Sequence, residues 1–228
     1  MHAIVVADGD APDPADLEAA WPGWAHDAAL VVAADGGARG AERLGLRPDL
    51  VVGDGDSLGP AALAALEAAG VAVERAPVDK DESDTELAVL AAVHRGADRI
   101  TIVGAFGGAR LDHELANVGL LGLDVLATRR ACLLDARARV SLVRAPGPHG
   151  GPVERGLPGP VGALVSLLPA GGPVRGITTS GLRFALHEGS LVPGPARGLS
   201  NVRDDPDAAI VVREGRLLVV ESPATLRP

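Results

Sequence analysis

The chain has no tyrosine, one cysteine, two phenylalanines and two tryptophans in 228 residues. A single cysteine, Cys132, excludes an internal disulfide and any zinc site built from several thiolates. With aromatics at 2%, few rings are available for the bases of a nucleic acid to stack on. Basic residues are also in deficit: 21 Lys and Arg against 30 Asp and Glu give a net charge of −9. That balance argues against a nucleic-acid-binding face, which needs clustered Lys and Arg. It leaves a nucleotide site open, because Mg²⁺ bridges carboxylates and phosphates. No apolar run approaches the roughly 20 residues of a membrane span. The opening run Ala3–Ala7, closed by Asp8 and Asp10, is too short for a signal peptide. A soluble, cytoplasmic protein with neither nucleic-acid nor membrane partners is expected.

Hydrophobic residues make up 47% of the chain, enough for a sizeable core at this length. The 30 Gly and 18 Pro are aperiodic and interleaved with Val/Leu runs, so neither collagen nor simple disorder fits. The first half alternates short apolar runs with alanine-rich stretches. Ala3–Ala7, Leu30–Ala34, Leu50–Val52, Val71–Val73, Ile100–Val103 and Ala131–Leu134 read as buried strands. Pro60–Ala69 and Thr85–His94 read as helices, the second with Leu87, Leu90, Ala91 and His94 on one face. A longer helix is expected from Arg110 toward Ala127. Strand–helix alternation at this spacing predicts an α/β domain with a mainly parallel sheet. After about Asp135 helical periodicity gives way to turn signals and short strands, which predicts an antiparallel β-sandwich or barrel. The expected domains are 1–137 and 138–228. Arg213–Arg216 reads as a hairpin turn, Pro146–Pro160 as a mobile loop, and Cys132 and His94 as packing residues.

Polar residues of the first half cluster after the strands, where an open parallel sheet binds its ligands. These clusters are Asp35-Gly36-Gly37, Gly53-Asp54-Gly55-Asp56-Ser57, Asp79-Lys80-Asp81-Glu82-Ser83-Asp84, and Gly104–Gly108 with Arg110-Leu111-Asp112-His113. Asp54 and Asp56 can aim two carboxylates at one point, and such a pair repels unless a cation lies between them. Mg²⁺ is the natural occupant. The same residues also fit an Asp-Gly turn in which Ser57 caps the helix from Pro60. Ser83 and Glu86 match a capping box, which leaves Lys80 beside a helix N-terminus as a phosphate contact or as part of a solvated charge run. Gly36-Gly37 and Gly107-Gly108 permit close backbone approach to a ligand. Neither a Walker A loop nor a G-x-G-x-x-G after a strand is present, and no Ser–His–Asp arrangement stands out.

Taken in order, Ala34–Ala38, Pro48–Ser57, Asp79–Asp84 and Gly107–His113 resemble the thiamine pyrophosphokinase (thiamine diphosphokinase) family. Thr178–Phe184 and Gly198-Leu199-Ser200-Asn201 resemble its two sandwich-domain motifs, so the likeness runs along nearly the whole chain. The resemblance implies a homodimer with active sites between subunits. It implies Mg²⁺-dependent transfer of the diphosphoryl group of ATP to the hydroxyethyl oxygen of thiamine, releasing AMP. By motif, Asp54, Asp56 and Asp84 would hold Mg²⁺, while Lys80, Ser57, Ser83, Arg110 and the glycine pairs 36–37 and 107–108 would face the nucleotide. Asp35 would shape the pocket, and Asp112 would lie near thiamine with Ser200 and Asn201 of the partner subunit. The chain departs from the family at Gly55, where a bulky residue is common and a packing anchor is lost, at Arg39, often Asn, and at Phe184, often Trp or Tyr. Phe184 is the expected neighbour of the thiamine rings, the alternative being a place in the sandwich core. Two rival functions remain: a diphosphokinase acting on another alcohol such as a reduced hydroxymethylpterin, and a non-catalytic nucleotide- or thiamine-binding regulator. The second predicts eroded carboxylates.

Overall fold

A computed structural model describes residues 1–223 and divides into two compact units, the first spanning Met1–Ala136 and the second beginning at Arg137. The first unit runs β1 (His2–Val6), α1 (Pro14–Ala20), β2 (Ala28–Ala34), α2 (Gly37–Arg43), β3 (Leu50–Gly53), α3 (Pro60–Ala68), β4 (Ala72–Arg75), α4 (Asp84–His94), β5 (Arg99–Val103), α5 (Leu111–Leu120) and β6 (Arg130–Asp135). Its strands are all parallel, in the order β6-β5-β1-β2-β3-β4. Every residue of β1 is buried, as expected of a strand covered on both faces. The chain builds outward from β1 to β4, then returns through α4 to β5 on the other side of β1. The order therefore reverses between β1 and β5, and the crevice at such a switch point is where open α/β sheets bind ligands.

Packing corrects several sequence expectations. The face that α4 buries is Thr85, Ala88, Val89 and Ala92 with Ala91, against β1, β2 and β3. Small side chains let the helix approach the sheet closely, whereas Leu87 and Leu90 lie half-buried at its flanks and His94 is exposed. Helix α5 stops at Leu120, well short of Ala127, because Leu121 and Gly122 close tight i→i+3 turns onto Val118 and Gly119. Cys132 is half-buried rather than fully enclosed. Two seven-residue helices, α1 and α2, were not legible as periodic segments. Trp21 and Trp24 pack against the cluster of Ile4, Val6, Leu17 and Val103, and Trp21 Nε1 donates to the Asp135 carbonyl at 2.8 Å.

The second unit is a β-sandwich of β7 (Ala138–Ala145), β8 (Val153–Gly156), β9 (Leu164–Pro169), β10 (Val174–Ser180), β11 (Gly189–Leu191), β12 (Asn201–Val202), β13 (Ala209–Val212) and β14 (Gly215–Glu221). The antiparallel sets β12-β9-β14-β7 and β11-β10-β13-β8 bury one shared core: Val143, Val165, Leu167, Leu217 and Val219 from the first, Val174, Ile177, Leu191, Ile210 and Val212 from the second. Arg213–Arg216 is therefore no hairpin. It carries the chain from one sheet to the other, β13 pairing with β10 and β8 while β14 pairs with β7 and β9. The segment Pro146–Pro160, expected as a loop, contributes β8 to the second sheet. The same unit holds an ion triad: Glu221, on the buried face of β14, accepts from Arg203, itself 2% exposed, at 3.0 Å and from Arg139 at 2.9 Å.

Candidate active site

Three carboxylates converge at the carboxyl ends of β2 and β3 and the start of α4. Oxygens of Asp35, Asp54 and Asp84 lie within 4.8 Å of one another. Asp35 follows β2 in the left-handed region (φ 40°) and is 1% exposed. Its oxygens accept from the backbone N–H of Ser57 at 2.9 Å and of Leu58 at 3.3 Å. Burial raises its pKa, and the Asp84 charge adds to that effect. Asp54 accepts from the Asp56 N–H at 3.1 Å, and that bond, with Lys80, lowers its pKa. Asp84 opens α4 next to the N-cap Ser83, whose side chain accepts from the Glu86 N–H at 3.1 Å. A carboxylate is favoured there by the helix dipole.

Gly53 permits the convergence. A Cβ on it would lie 2.9 Å from the Asp35 Cβ and 3.2 Å from the Asp84 carboxyl carbon. Lys80 Nζ sits 3.2 Å from Asp54 and 3.0 Å from Asp84. Burial works against its charge, but the two ion pairs outweigh that and raise its pKa. The loop after β3 is gripped on both edges: Asp35 takes its N–H groups, and the Arg39 guanidinium donates to the carbonyls of Ser57 at 2.8 Å and Leu58 at 3.2 Å. Arg39 thus has a structural use at a position where the family often has Asn. Ser57 does not cap α3, whose N-cap is Gly59; its hydroxyl turns to Asp56 at 3.3 Å. At position 55 the backbone is left-handed (φ 83°), and a Cβ would meet Leu63 Cδ1 at 2.5 Å, so a buried α3 side chain fills that space.

Of the residues the sequence nominated for metal, Asp54 and Asp84 come together with Asp35, and the exposed Asp56 lies beside them, its side chain interacting with those of Asp35 and Asp54. Three hard oxygen donors that repel one another, one of them buried, fit a small divalent cation such as Mg²⁺. Arg110 and Asp112 pair with each other at the start of α5, Nε to Oδ1 at 3.1 Å, both nearly two-thirds exposed. The Arg110 hydrogen bonds hold the Asp112 carboxyl down to about 2. The glycine pairs serve close packing within the protein: Gly36 abuts the Asp8 carboxylate, Gly37 the Val6 carbonyl, Gly107 the Asp10 carboxylate, and Gly108 lies by Gly9. These contacts define a loop, Asp8-Gly9-Asp10, that was not among the clusters nominated from sequence. Its signal was the same as at the other strands, an apolar run ending in Asp and Gly, and it borders the switch point between β1 and β5.

In the second unit, Phe184 is 64% exposed and so is not part of the sandwich core. Asn201 is 8% exposed, and its amide bonds both the N–H and the carbonyl of Phe184, at 2.9 and 2.8 Å. Exposed Ser200 is left-handed (φ 55°), its N–H donating to Ser166 Oγ at 3.0 Å.

A parallel α/β unit with an acidic, cation-fitting centre at its strand ends, followed by an antiparallel sandwich, defines a class of two-unit proteins. The family model described as "Thiamin pyrophosphokinase, catalytic domain" matches residues 23–130, which hold the whole acidic centre. The model described as "Thiamin pyrophosphokinase, vitamin B1 binding domain" matches residues 157–217, which hold Phe184 and Asn201. The chain belongs to the thiamine pyrophosphokinase family. It is 29% identical over 174 residues to thiamine pyrophosphokinase 1 of Oryza sativa subsp. japonica, covering 74% of this chain and 64% of that relative's length. The crystal structure of thiamin pyrophosphokinase from Geobacillus thermodenitrificans superposes with a TM-score of 0.77 at 26% identity, covering 99% of each chain. That of thiamine pyrophosphokinase from Bacillus subtilis has the same fold, with a TM-score of 0.81 at 24% identity over 98% of this chain and 99% of that one.

Proposed function

We propose that the protein is a thiamine diphosphokinase, transferring the diphosphoryl group of ATP to thiamine with Mg²⁺ as cofactor. The observation that carries this reading is the convergence of Asp35, Asp54 and Asp84 around Lys80 within the span that matches the family's catalytic model. The thiamine hydroxyl oxygen forms a bond to the β-phosphorus of ATP and loses its proton. The bond from that phosphorus to the α,β-bridging oxygen breaks, and its electron pair leaves with AMP. Such a transfer asks the protein mainly for positioning and charge neutralisation. Asp35, Asp54 and Asp84 would hold Mg²⁺, which when bound supplies positive charge to the phosphate oxygens. Lys80 and Arg110 add positive charge, and Ser57, Ser83 and the backbone near Gly36-Gly37 and Gly107-Gly108 face the nucleotide. Asp112, ionised and paired with Arg110, offers a negative charge to the thiazolium cation. The exposed Phe184 ring offers a face for the thiamine rings.

The protein acts as a cytoplasmic homodimer in this reading, with Phe184 and Ser200 of the partner subunit completing each site. Among the described residues no helix is long and apolar enough to cross a membrane. AMP release from ATP and Mg²⁺, measured with a panel of alcohols, tests the proposal. Thiamine-dependent AMP is the expected result. AMP formed with a hydroxymethylpterin in place of thiamine would reassign the substrate, and no AMP with any alcohol would point to a binding protein.

A further inference from the structure

We infer that Asn201 is a positioning residue that fixes the Phe184 ring for substrate and does not itself bind the substrate. This rests on the reading that Phe184 faces thiamine. An Asn amide has two N–H groups and an oxygen with two lone pairs. Oδ1 of Asn201 accepts from the N–H of Phe184 and from that of Val202, both at 2.9 Å, while Nδ2 donates to the Phe184 carbonyl at 2.8 Å. One N–H is left for any other partner, and the side chain is buried. The orientation of the amide follows from its partners, since a flipped group would set NH₂ against two N–H donors.

The clasp is anchored on the sandwich. Leu167 N–H, on β9, donates to the Gly198 carbonyl at 2.8 Å, and a Cβ on Gly198 would lie 1.9 Å from the Leu167 carbonyl oxygen. Asn201 itself pairs with Val165 of β9, and Arg183 N–H donates to the Val202 carbonyl at 2.9 Å. A connected set of hydrogen bonds therefore runs from β9 through residues 198–202 to both polar groups of the Phe184 peptide. A large aromatic ring in water makes little contribution to its own fold, yet its main chain is held at two points. Such pre-organisation reduces the ordering loss when a flat ligand stacks on the ring.

A double-mutant cycle with a spectroscopic control tests the assignment. Thiamine KM, ATP KM and melting temperature are measured for Asn201→Ala, Phe184→Ala and the double variant. Asn201→Asp, which keeps the accepting oxygen and the shape, stands in if Asn201→Ala does not fold. Asn201→Ala is expected to raise thiamine KM about three- to tenfold with ATP KM within about twofold of wild type. In the Phe184→Ala background the same change should add less than about twofold, because its target is gone. Independent, multiplying effects would overturn the proposal and make Asn201 a direct contact, as would an unchanged thiamine KM. The chain has only two Phe, so fluorophenylalanine labelling gives two ¹⁹F resonances. Asn201→Ala should shift and sharpen the Phe184 resonance and leave that of Phe106 in place; a static Phe184 resonance refutes the clasp. This readout needs no activity, so failure of the thiamine reading, seen as no AMP release by wild type, remains distinct.

Discussion

Lys80 stands among the three carboxylates as a built-in cation, and replacing it with Met separates its two uses. Its side chain is 12% exposed, and those of its partners Asp54 and Asp84 are 11% and 26% exposed. Removing one member of a fully buried pair costs about 3–5 kcal/mol. Asp84 is partly open to water, which screens it, so we expect about 2 kcal/mol for Lys80→Met. For a chain of this length that is a fall of about 4–8 °C in Tm. The loss arises because Asp35, Asp54 and Asp84 are left without positive charge, so a divalent ion should restore much of it. Melting wild type and Lys80→Met with and without Mg²⁺ reads this directly. The Mg²⁺-induced rise in Tm should be larger in the variant, while AMP release stays down by about a hundredfold even when stability is restored. Equal Mg²⁺ increments in the two proteins, or no loss of Tm without Mg²⁺, would refute the idea that the lysine balances the acidic centre.

Other outcomes follow from the same geometry. Asp54→Asn should lower AMP release by about a hundredfold or more; activity within about tenfold of wild type would remove Asp54 from the metal site. Glu221→Gln leaves Arg203 buried without its counter-charge and should destabilise the second unit by about 3–5 kcal/mol, measured by denaturant unfolding and partly recovered by Arg203→Met in the same chain. His2 is buried on β1 between Thr101, at 2.9 Å, and Asp27, at 3.1 Å; burial, with the charge of Arg99, holds its pKa below 6.5. The unfolded chain therefore takes up a proton first, so His2 lowers stability as pH falls from about 6.5 toward its folded pKa and has no effect above that window. A Tm profile from about pH 7 to pH 5 should flatten in His2→Gln, and an unchanged slope would count against it.

The central strands were legible because a strand covered on both faces is apolar nearly throughout, as Ile4–Val6 and Leu50–Val52 are. Their carboxyl-end clusters followed from the same runs, which is why Asp54, Lys80 and Asp84 were found. What escaped depends on contacts distant in sequence. Asp35 joins the cluster only because a left-handed backbone and the bare Gly53 bring β2 and α4 together. The residues 213–216 signal a change of direction but carry no information on which sheet receives the next strand. The buried face of α4 was misassigned because leucines dominate a hydrophobic pattern, whereas close helix–sheet contact selects Thr85, Ala88 and Ala92. Asn201 was legible as a motif residue, but its partner, the Phe184 backbone, has no side-chain signature to read.

The glycine at position 55 and Leu63 share one volume, with consequences for how this sequence can drift. A bulky side chain introduced at 55 alone would meet Leu63 and would also need a backbone that abandons φ 83°. Shortening Leu63 alone would leave a void beside a loop that has nothing of its own to fill it. Neither step is neutral by itself, so the two positions act as a single unit that can change only together. A bulky side chain placed at position 55 should therefore be tolerated only if position 63 is made small in the same step.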